Sequence, residues 1–171
     1  MKTSIWYRLD ILTRLLTPFL LTLALVVLNL VPLEIPKFSH VVPLLPLIAI
    51  YHWAVYRSEL LPAYAVFMIG LLQDIFSGAP IGVYTLVFLL VYGMVILQHR
   101  FLFGKSFAII WLGFAIVAGG AFALVWALIS LWSFSLLETK AAFFQYLLTV
   151  ATFPSLAWVF MRWQQFIIRQ L

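Results

Sequence analysis

The sequence predicts an all-α integral membrane protein that crosses the bilayer six times. Hydrophobic residues make up 66% of the 171 residues, and charged residues make up only 9%. No water-soluble surface can be built from so few charged side chains, so lipid must be the main solvent. About 20 apolar residues span a hydrocarbon core, and the apolar runs supply enough material for six such segments joined by short loops. We therefore expect one polytopic membrane domain over residues 1–171.

Each apolar run is interpreted as a helix, because unpaired backbone in lipid is costly and the runs lack the alternating polarity of barrel strands. Pro32 and Pro36 end the first run, while Pro43 and Pro46 lie near the start of the second, where a missing N–H costs least. The short Ser77-Gly78-Ala79-Pro80 connection predicts an antiparallel hairpin of the third and fourth helices. The predicted spans cover residues 15–31, 41–56, 60–76, 82–97, 107–132 and 141–161.

The basic residues favour one orientation. With six spans and a cytoplasmic N-terminus, cytoplasmic segments hold most of the Lys and Arg side chains, and this bias predicts that both termini are cytoplasmic. Because the basic residues are scattered singly and form no stripe, the net charge of +5 does not indicate a nucleic-acid partner. The cytoplasmic set is Lys2, Arg8, Arg14, Arg57, Arg100, Lys105, Arg162 and Arg169, against Lys37 and Lys140 outside.

Nothing in the sequence indicates catalysis. It contains no nucleophile paired with a base, no paired carboxylates and no H-E-x-x-H helix, and it has only five acidic residues. Cysteine is absent, which excludes thiolate metal sites. His52 has no second histidine at metal-ligand spacing, so we expect it to be a satisfied polar residue near the membrane interface. We predict a protein that is not an enzyme and has no catalytic residue, metal site or cofactor.

Asp74 is the one acidic residue that the predicted spans place inside a helix. It lies near the end of the third span, where the helix dipole disfavours a carboxylate, so another group must compensate it. The candidates are water at the outer face, the N-terminal amides of the fourth helix, or a cation on a partner protein, and we slightly favour the partner. Gly78 is expected to end the third helix in a left-handed conformation, and Gly82 to let the two helices pack closely.

Small residues recur every four positions in the fifth span, which places them on one helix face. Such a small-xxx-small stripe lets another backbone approach closely in lipid. The partner helix is expected to belong to the same chain or, as the second choice, to another protein. The stripe consists of Ala115, Gly119, Ala123 and Ala127.

The region from Pro46 to Val95 carries a distinctive series of residues. The series is Tyr51-His52-Trp53 and then Gly70-Leu71-Leu72-Gln73-Asp74-Ile75-Phe76-Ser77-Gly78 with Pro80-Ile81-Gly82. This region resembles the MreD family of rod shape-determining proteins. In that family the second span ends in a Tyr-Trp-like pair, and a G-L-L-x-D-x-x-S-G-x-x-x-G segment closes the third span and opens the fourth. Gly70, Asp74, Gly78 and Gly82 match the family pattern position by position.

This resemblance implies a component of the bacterial inner membrane that serves cell elongation. Its expected partners are membrane lipid and MreC, and through the complex MreB, RodA and a class B penicillin-binding protein. It also implies a fold similar to the substrate-binding subunits of energy-coupling-factor vitamin transporters.

The predicted function is therefore a non-enzymatic scaffold that binds partner membrane proteins. The alternative is a small-molecule-binding subunit of an energy-coupling-factor transporter, which would need several polar groups converging on the outer side. A membrane enzyme acting on a lipid-linked substrate is a further rival, which the missing acid-base pairs disfavour.

Overall fold

The computed structural model describes residues 5–31 and 41–168. Within these ranges the chain forms six α-helices, a 3-10 turn at Ser58–Leu60 and no strand, which confirms the predicted all-α class. The helices are α1 (Ile5–Leu28), α2 (Leu45–Tyr56), α3 (Ala63–Ser77), α4 (Val83–Leu102), α5 (Phe107–Ser133) and α6 (Thr139–Ile168).

The six helices differ in their capacity to cross a bilayer. Among the described residues, three segments are long and apolar enough to span it, namely Val83–Leu102, Phe107–Ser133 and Thr139–Gln165. At about 1.5 Å per residue, α2 is roughly 18 Å long and α3 roughly 22 Å, both short of a hydrocarbon core about 30 Å thick. Six helices are therefore confirmed, while six complete crossings stay a prediction.

Helix ends deviate from the predicted spans for two physical reasons. Hydropathy marks where hydrocarbon contact ends, but a helix continues into the interface, where polar side chains reach water. Thus α4 ends at Leu102 instead of residue 97, and α6 ends at Ile168 instead of residue 161. By contrast α2 begins only at Leu45, because Pro46 then lies in the first helical turn, where a missing N–H is tolerated; a helix that began at residue 41 would place Pro46 in its interior.

Helix α2 forms the centre of the bundle. It packs against α1, α4 and α6, and every residue from Leu45 to Val55 is buried. The other helices are linked around it by contacts of α1 with α3, α3 with α4, α4 with α5, and α5 with α6. A helix that is apolar all round belongs in such a buried position, which explains why a short helix can lie in the middle of the fold.

The non-helical entry to α2 is held by side chains of α6. The amide of Gln145 donates a hydrogen bond to the Val42 carbonyl at 2.9 Å, and the Leu44 N–H donates to the Thr149 hydroxyl at 3.0 Å. Irregular backbone at membrane depth is tolerated only where protein satisfies its polar groups. These two bonds therefore fix where α2 starts.

Helix α2 is also joined to α5 through Tyr51. The Tyr51 hydroxyl donates to the Ile110 carbonyl at 3.0 Å, and a Cβ atom added at Gly113 would lie 2.8 Å from that hydroxyl. Because Gly113 has no side chain, the tyrosine ring can reach the α5 backbone.

Candidate functional site

The Asp74 carboxylate lies in the last turn of α3 and is 0% exposed. Its Oδ2 accepts hydrogen bonds from the Gly82 N–H at 2.9 Å, the Thr85 N–H at 3.2 Å and the Thr85 hydroxyl at 2.6 Å. Its Oδ1 accepts one from the Tyr84 N–H at 2.7 Å. We call this group of Asp74, Gly82, Tyr84 and Thr85 the Asp74 centre.

The Asp74 centre caps α4 from a neighbouring helix. The first N–H groups of a helix have no intrahelical partner, and the positive end of the helix dipole lies there. The N-cap residue of α4 is Gly82, which has no side chain to supply this cap. Asp74 therefore neutralises the start of α4, and the favourable dipole of α4 offsets the unfavourable dipole of α3.

Of the three compensations weighed for Asp74, the structure provides the N-terminal amides of the fourth helix. Both oxygens are engaged and the carboxylate is buried, so no oxygen faces a partner. The preference for a cation on another protein is accordingly corrected. The physical reason is the short connection, which returns α4 to the end of α3 and brings its amides within hydrogen-bond distance.

Two glycines shape this connection through their backbone angles. Gly78 caps α3 at φ 67°, as predicted. Gly82 is the N-cap of α4 at φ 105°, a backbone conformation that residues with side chains rarely adopt. A Cβ atom added at Gly82 would meet nothing within 4 Å. The expected role of Gly82 in close helix packing is thus wrong, and its positive φ explains the glycine instead.

Close packing of α3 and α4 occurs at Gly70. A Cβ atom there would lie 2.5 Å from the Cα of Thr85 and 3.0 Å from its backbone nitrogen. Gly70 and Asp74 are four residues apart and share one face of α3, so the residue that approaches Gly70 is the one that bonds to Asp74. Thr85, whose hydroxyl makes the shortest of the four bonds, is not among the residues expected from the sequence.

The small-residue stripe of α5 faces α6 but not in a backbone-to-backbone contact. The Tyr146 ring lies over it: its hydroxyl donates to the Ala115 carbonyl at 2.9 Å, and a Cβ atom at Gly119 would lie 3.7 Å from the ring. Ala123 is exposed and Ala127 is half-buried. The stripe therefore provides the surface on which an aromatic side chain of α6 rests.

Two adjoining cavities lie beside this stripe. One, of about 370 Å³, opens between α5 and α6 and is lined by Gly119, Ala123 and Tyr146; we call it the α5–α6 cavity. The other, of about 190 Å³, has Tyr84 and Glu138 in its wall and is called the mouth cavity. Because Tyr84 opens α4 and Glu138 precedes α6, the mouth cavity lies at the same end of the bundle as the Asp74 centre. Phe122, Trp126 and Ala142 line both cavities and form their common wall.

The family comparison covers nearly all of this architecture. The family model described as rod shape-determining protein MreD matches residues 10–167. The chain belongs to the MreD family. It is a membrane protein with a role in rod-shape determination. No curated protein and no solved structure matches the chain.

The four positions that carry the MreD resemblance have distinct physical roles in this chain. Gly70 admits the backbone of α4, Asp74 caps that helix, and the positive φ angles of Gly78 and Gly82 build the turn between them. Their spacing of four residues follows from geometry, because residues four apart share a face in α3 and the turn then occupies the same length. The motif therefore encodes a rigid hairpin.

Further polar residues of this MreD chain contain buried side-chain atoms with no hydrogen-bond partner among the described residues, and His52 and Gln73 are two of them. Neither ring nitrogen of His52 has a hydrogen bond, and the ring packs against Tyr56 and Phe160 with centroids 4.6 and 5.0 Å away. The expectation of a satisfied, interfacial histidine is thus wrong, because α2 is enclosed by other helices. Gln73 is buried beside Asp74, and its Oε1 has no partner in the described ranges. In those ranges no three His, Asp or Glu side chains come together as metal ligands.

Proposed function

We propose that this chain is a non-enzymatic scaffold of the bacterial cell-elongation complex in the inner membrane, and that it works by binding partner membrane proteins. The observation that carries the proposal is the MreD match, which extends from residue 10 in α1 to residue 167 in α6. Since the matched region is the helical bundle itself, the bundle is the unit that serves rod-shape determination.

The proposed direct partner is MreC, and through it the chain associates with MreB, RodA and a class B penicillin-binding protein. Large apolar side chains on the bundle surface support helix-to-helix binding, such as Ile116 at 77% exposure on α5. Further exposed groups gather at the end of α5 and directly after it, where Trp132, Phe134 and Leu136 are largely uncovered. This surface offers contacts both to lipid and to transmembrane partners.

The proposed orientation has both termini in the cytoplasm. It rests on the excess of Lys and Arg in the segments that this arrangement places inside. The end of the bundle with the Asp74 centre and the mouth cavity then faces outwards. The hairpin turn and the connection from α5 to α6 are accordingly the surfaces offered to outer segments of partners.

The structure of the Asp74 centre supports a scaffold over an enzyme. A general acid or base must be able to exchange a proton with substrate, but both oxygens of this carboxylate are held by backbone and hydroxyl donors of α4. A residue in such a position rigidifies the hairpin. It thereby fixes the relative placement of the surfaces that partners recognise.

The cavities also support the scaffold function over the transporter alternative. A solute pocket needs several polar groups that converge on the ligand. Here the Trp126 and Gln145 side-chain N–H groups donate to carbonyls of the chain itself, at 3.3 Å to Leu137 and 2.9 Å to Val42. The walls are therefore better suited to hydrocarbon than to a vitamin.

Co-purification with MreC tests the proposed function. Tagged chain and untagged MreC are co-expressed, extracted in mild detergent and captured through the tag, with an unrelated six-helix membrane protein as the control bait. The proposal predicts that MreC is retained by this chain and not by the control. Equal recovery of MreC on both baits, with both proteins folded, would remove the scaffold assignment.

A further inference from the structure

The α5–α6 cavity and the mouth cavity together form a channel along half the membrane thickness. The α5–α6 cavity begins at Gly119, near the middle of α5, and the mouth cavity reaches Ile129. These positions are ten residues apart on one helix, which corresponds to about 15 Å, or half of a hydrocarbon core about 30 Å thick. The combined length matches one leaflet of the bilayer.

The walls of this channel are suited to an acyl chain. They are mainly aliphatic and aromatic. Of the five uncharged polar side chains among the described lining residues, three donate hydrogen bonds to backbone carbonyls of the protein, and the other two are Tyr84 and Thr139. The donors are Trp126, Gln145 and the Tyr146 hydroxyl, with partners 3.3, 2.9 and 2.9 Å away. Since these donors are already committed, burying hydrocarbon against them breaks no hydrogen bond, whereas a polar solute would lose its hydration without recovering it.

The open end of the channel carries charge. Glu138 is the one charged residue among the described residues that line the two cavities, and it is exposed at the end nearest the Asp74 centre. Lys140, also exposed, follows two residues later. A headgroup that carries an ammonium and a phosphate finds an opposite charge for each of them here, while a headgroup with phosphate alone leaves Glu138 unpaired.

We propose that the two cavities bind one acyl chain of a zwitterionic phospholipid with a primary ammonium, such as phosphatidylethanolamine, whose headgroup lies at Glu138. The methyl end of the acyl chain reaches the Tyr146 ring near the bilayer centre. Trp126, in the common wall of the two cavities, lies against the bound hydrocarbon. This lipid site adjoins the Asp74 centre through Tyr84, which lines the mouth cavity, but it does not include the carboxylate and is independent of the choice of protein partner.

Quenching of tryptophan fluorescence by brominated lipids tests the proposal. Delipidated protein in detergent is titrated with phosphatidylethanolamine or phosphatidylglycerol, each carrying dibrominated chains, and the Trp126 signal is taken as the part lost in Trp126→Phe. Ala123→Phe fills the α5–α6 cavity from an exposed position, and Ala108→Phe, another exposed alanine of α5, is its control.

We expect saturable quenching of Trp126 by phosphatidylethanolamine, weakened on the order of tenfold by Ala123→Phe and unchanged by Ala108→Phe. Glu138→Gln should abolish the preference over phosphatidylglycerol. Equal lipid binding by Ala123→Phe and Ala108→Phe would overturn the proposal. Quenching that persists unchanged in Trp126→Phe would also overturn it.

A loss of MreC from Ala123→Phe with lipid binding intact would show a protein interface instead and would also overturn the lipid site. If Ala123→Phe does not fold, Ala123→Leu is the smaller filling variant, and the same comparison with Ala108→Leu decides. Because MreC recovery on the wild-type chain is measured separately, failure of the lipid site does not remove the scaffold function.

Discussion

Replacing Asp74 by alanine removes all four hydrogen bonds that cap α4. Two of the donors, the N–H and the hydroxyl of Thr85, are buried. A buried donor left without a partner costs about 1–3 kcal/mol, so the buried pair alone corresponds to about 2–6 kcal/mol of lost stability. For a chain of this length, roughly 2–4 °C of melting temperature is lost per kcal/mol. We therefore expect Asp74→Ala to lower the apparent melting temperature clearly and to reduce the folded yield.

The apparent melting temperature of Asp74→Asn should lie between those of Asp74→Ala and the wild type. Its single carbonyl oxygen can replace Oδ2, but its NH₂ group then faces the Tyr84 N–H, which now donates to Oδ1 at 2.7 Å. The assay is size-exclusion chromatography of detergent-solubilised protein after heating. Glu59→Gln is the control, because Glu59 is an exposed carboxylate in the connection between α2 and α3.

A double-mutant cycle with Thr85→Val then isolates the bond of the hydroxyl to the carboxylate. Because the Thr85 hydroxyl donates to the carboxylate, Thr85→Val should cost less stability in the Asp74→Ala background than in the wild type. Melting of Asp74→Ala at the temperature of Glu59→Gln, or strict additivity in the cycle, would refute the capping role.

Three further predictions concern packing and topology. Gly70→Ala should destabilise the hairpin, since its Cβ would lie 2.5 Å from the backbone of α4. Gly93→Ala is the control, because Gly93 has open space around it in the same hairpin; its stability should be unchanged or rise by up to about 1 kcal/mol. Melting temperatures check both variants. Gly119→Leu should displace the Tyr146 ring and lower the folded yield, whereas Gly120→Leu, where nothing lies within 4 Å, should not, and equal yields would contradict the contact. Alkaline phosphatase fused behind the outer segments should be active and behind the inner segments silent, and the reverse pattern would invert the topology. The outer fusion points are Lys37, Gly78 and Glu138, and the inner ones are Glu59 and His99.

Hydropathy was sufficient to predict the helices because lipid imposes a simple rule on each segment separately. Every apolar run must satisfy its own backbone hydrogen bonds, so its existence as a helix does not depend on its neighbours. The central position of α2 was not predictable in this way. Its shortness was visible, but burial on all sides depends on which helices surround it, and this also explains why His52 was misplaced at the interface.

The Asp74 centre was half predictable. A carboxylate at the unfavourable end of a helix dipole signals that a compensating group exists, and the amides of the next helix were among the candidates. Choosing between them required the path of the turn from Gly78 to Gly82, which sets the distance from carboxylate to amides. Thr85 has no signal of its own, because a threonine inside an apolar run is common and only the fold brings it to Asp74 and Gly70.

The role of the α5 stripe also depended on three-dimensional information. Four small residues on one face indicate that something approaches closely, but not whether this is a backbone or a large side chain. In the structure the approaching group is the Tyr146 side chain, whose hydroxyl donates to the Ala115 carbonyl.

Asp74 stabilises the fold of the helical bundle, and we expect partners to bind elsewhere on the surface of the bundle. The most direct measurement is the amount of MreC that co-purifies per folded molecule for wild type and Asp74→Asn, with folded molecules counted from the monodisperse chromatographic peak. We expect that wild type retains MreC and that Asp74→Asn yields fewer folded molecules with the same amount of MreC on each. Normal folding of Asp74→Asn with loss of MreC would contradict it and would make the carboxylate a partner contact.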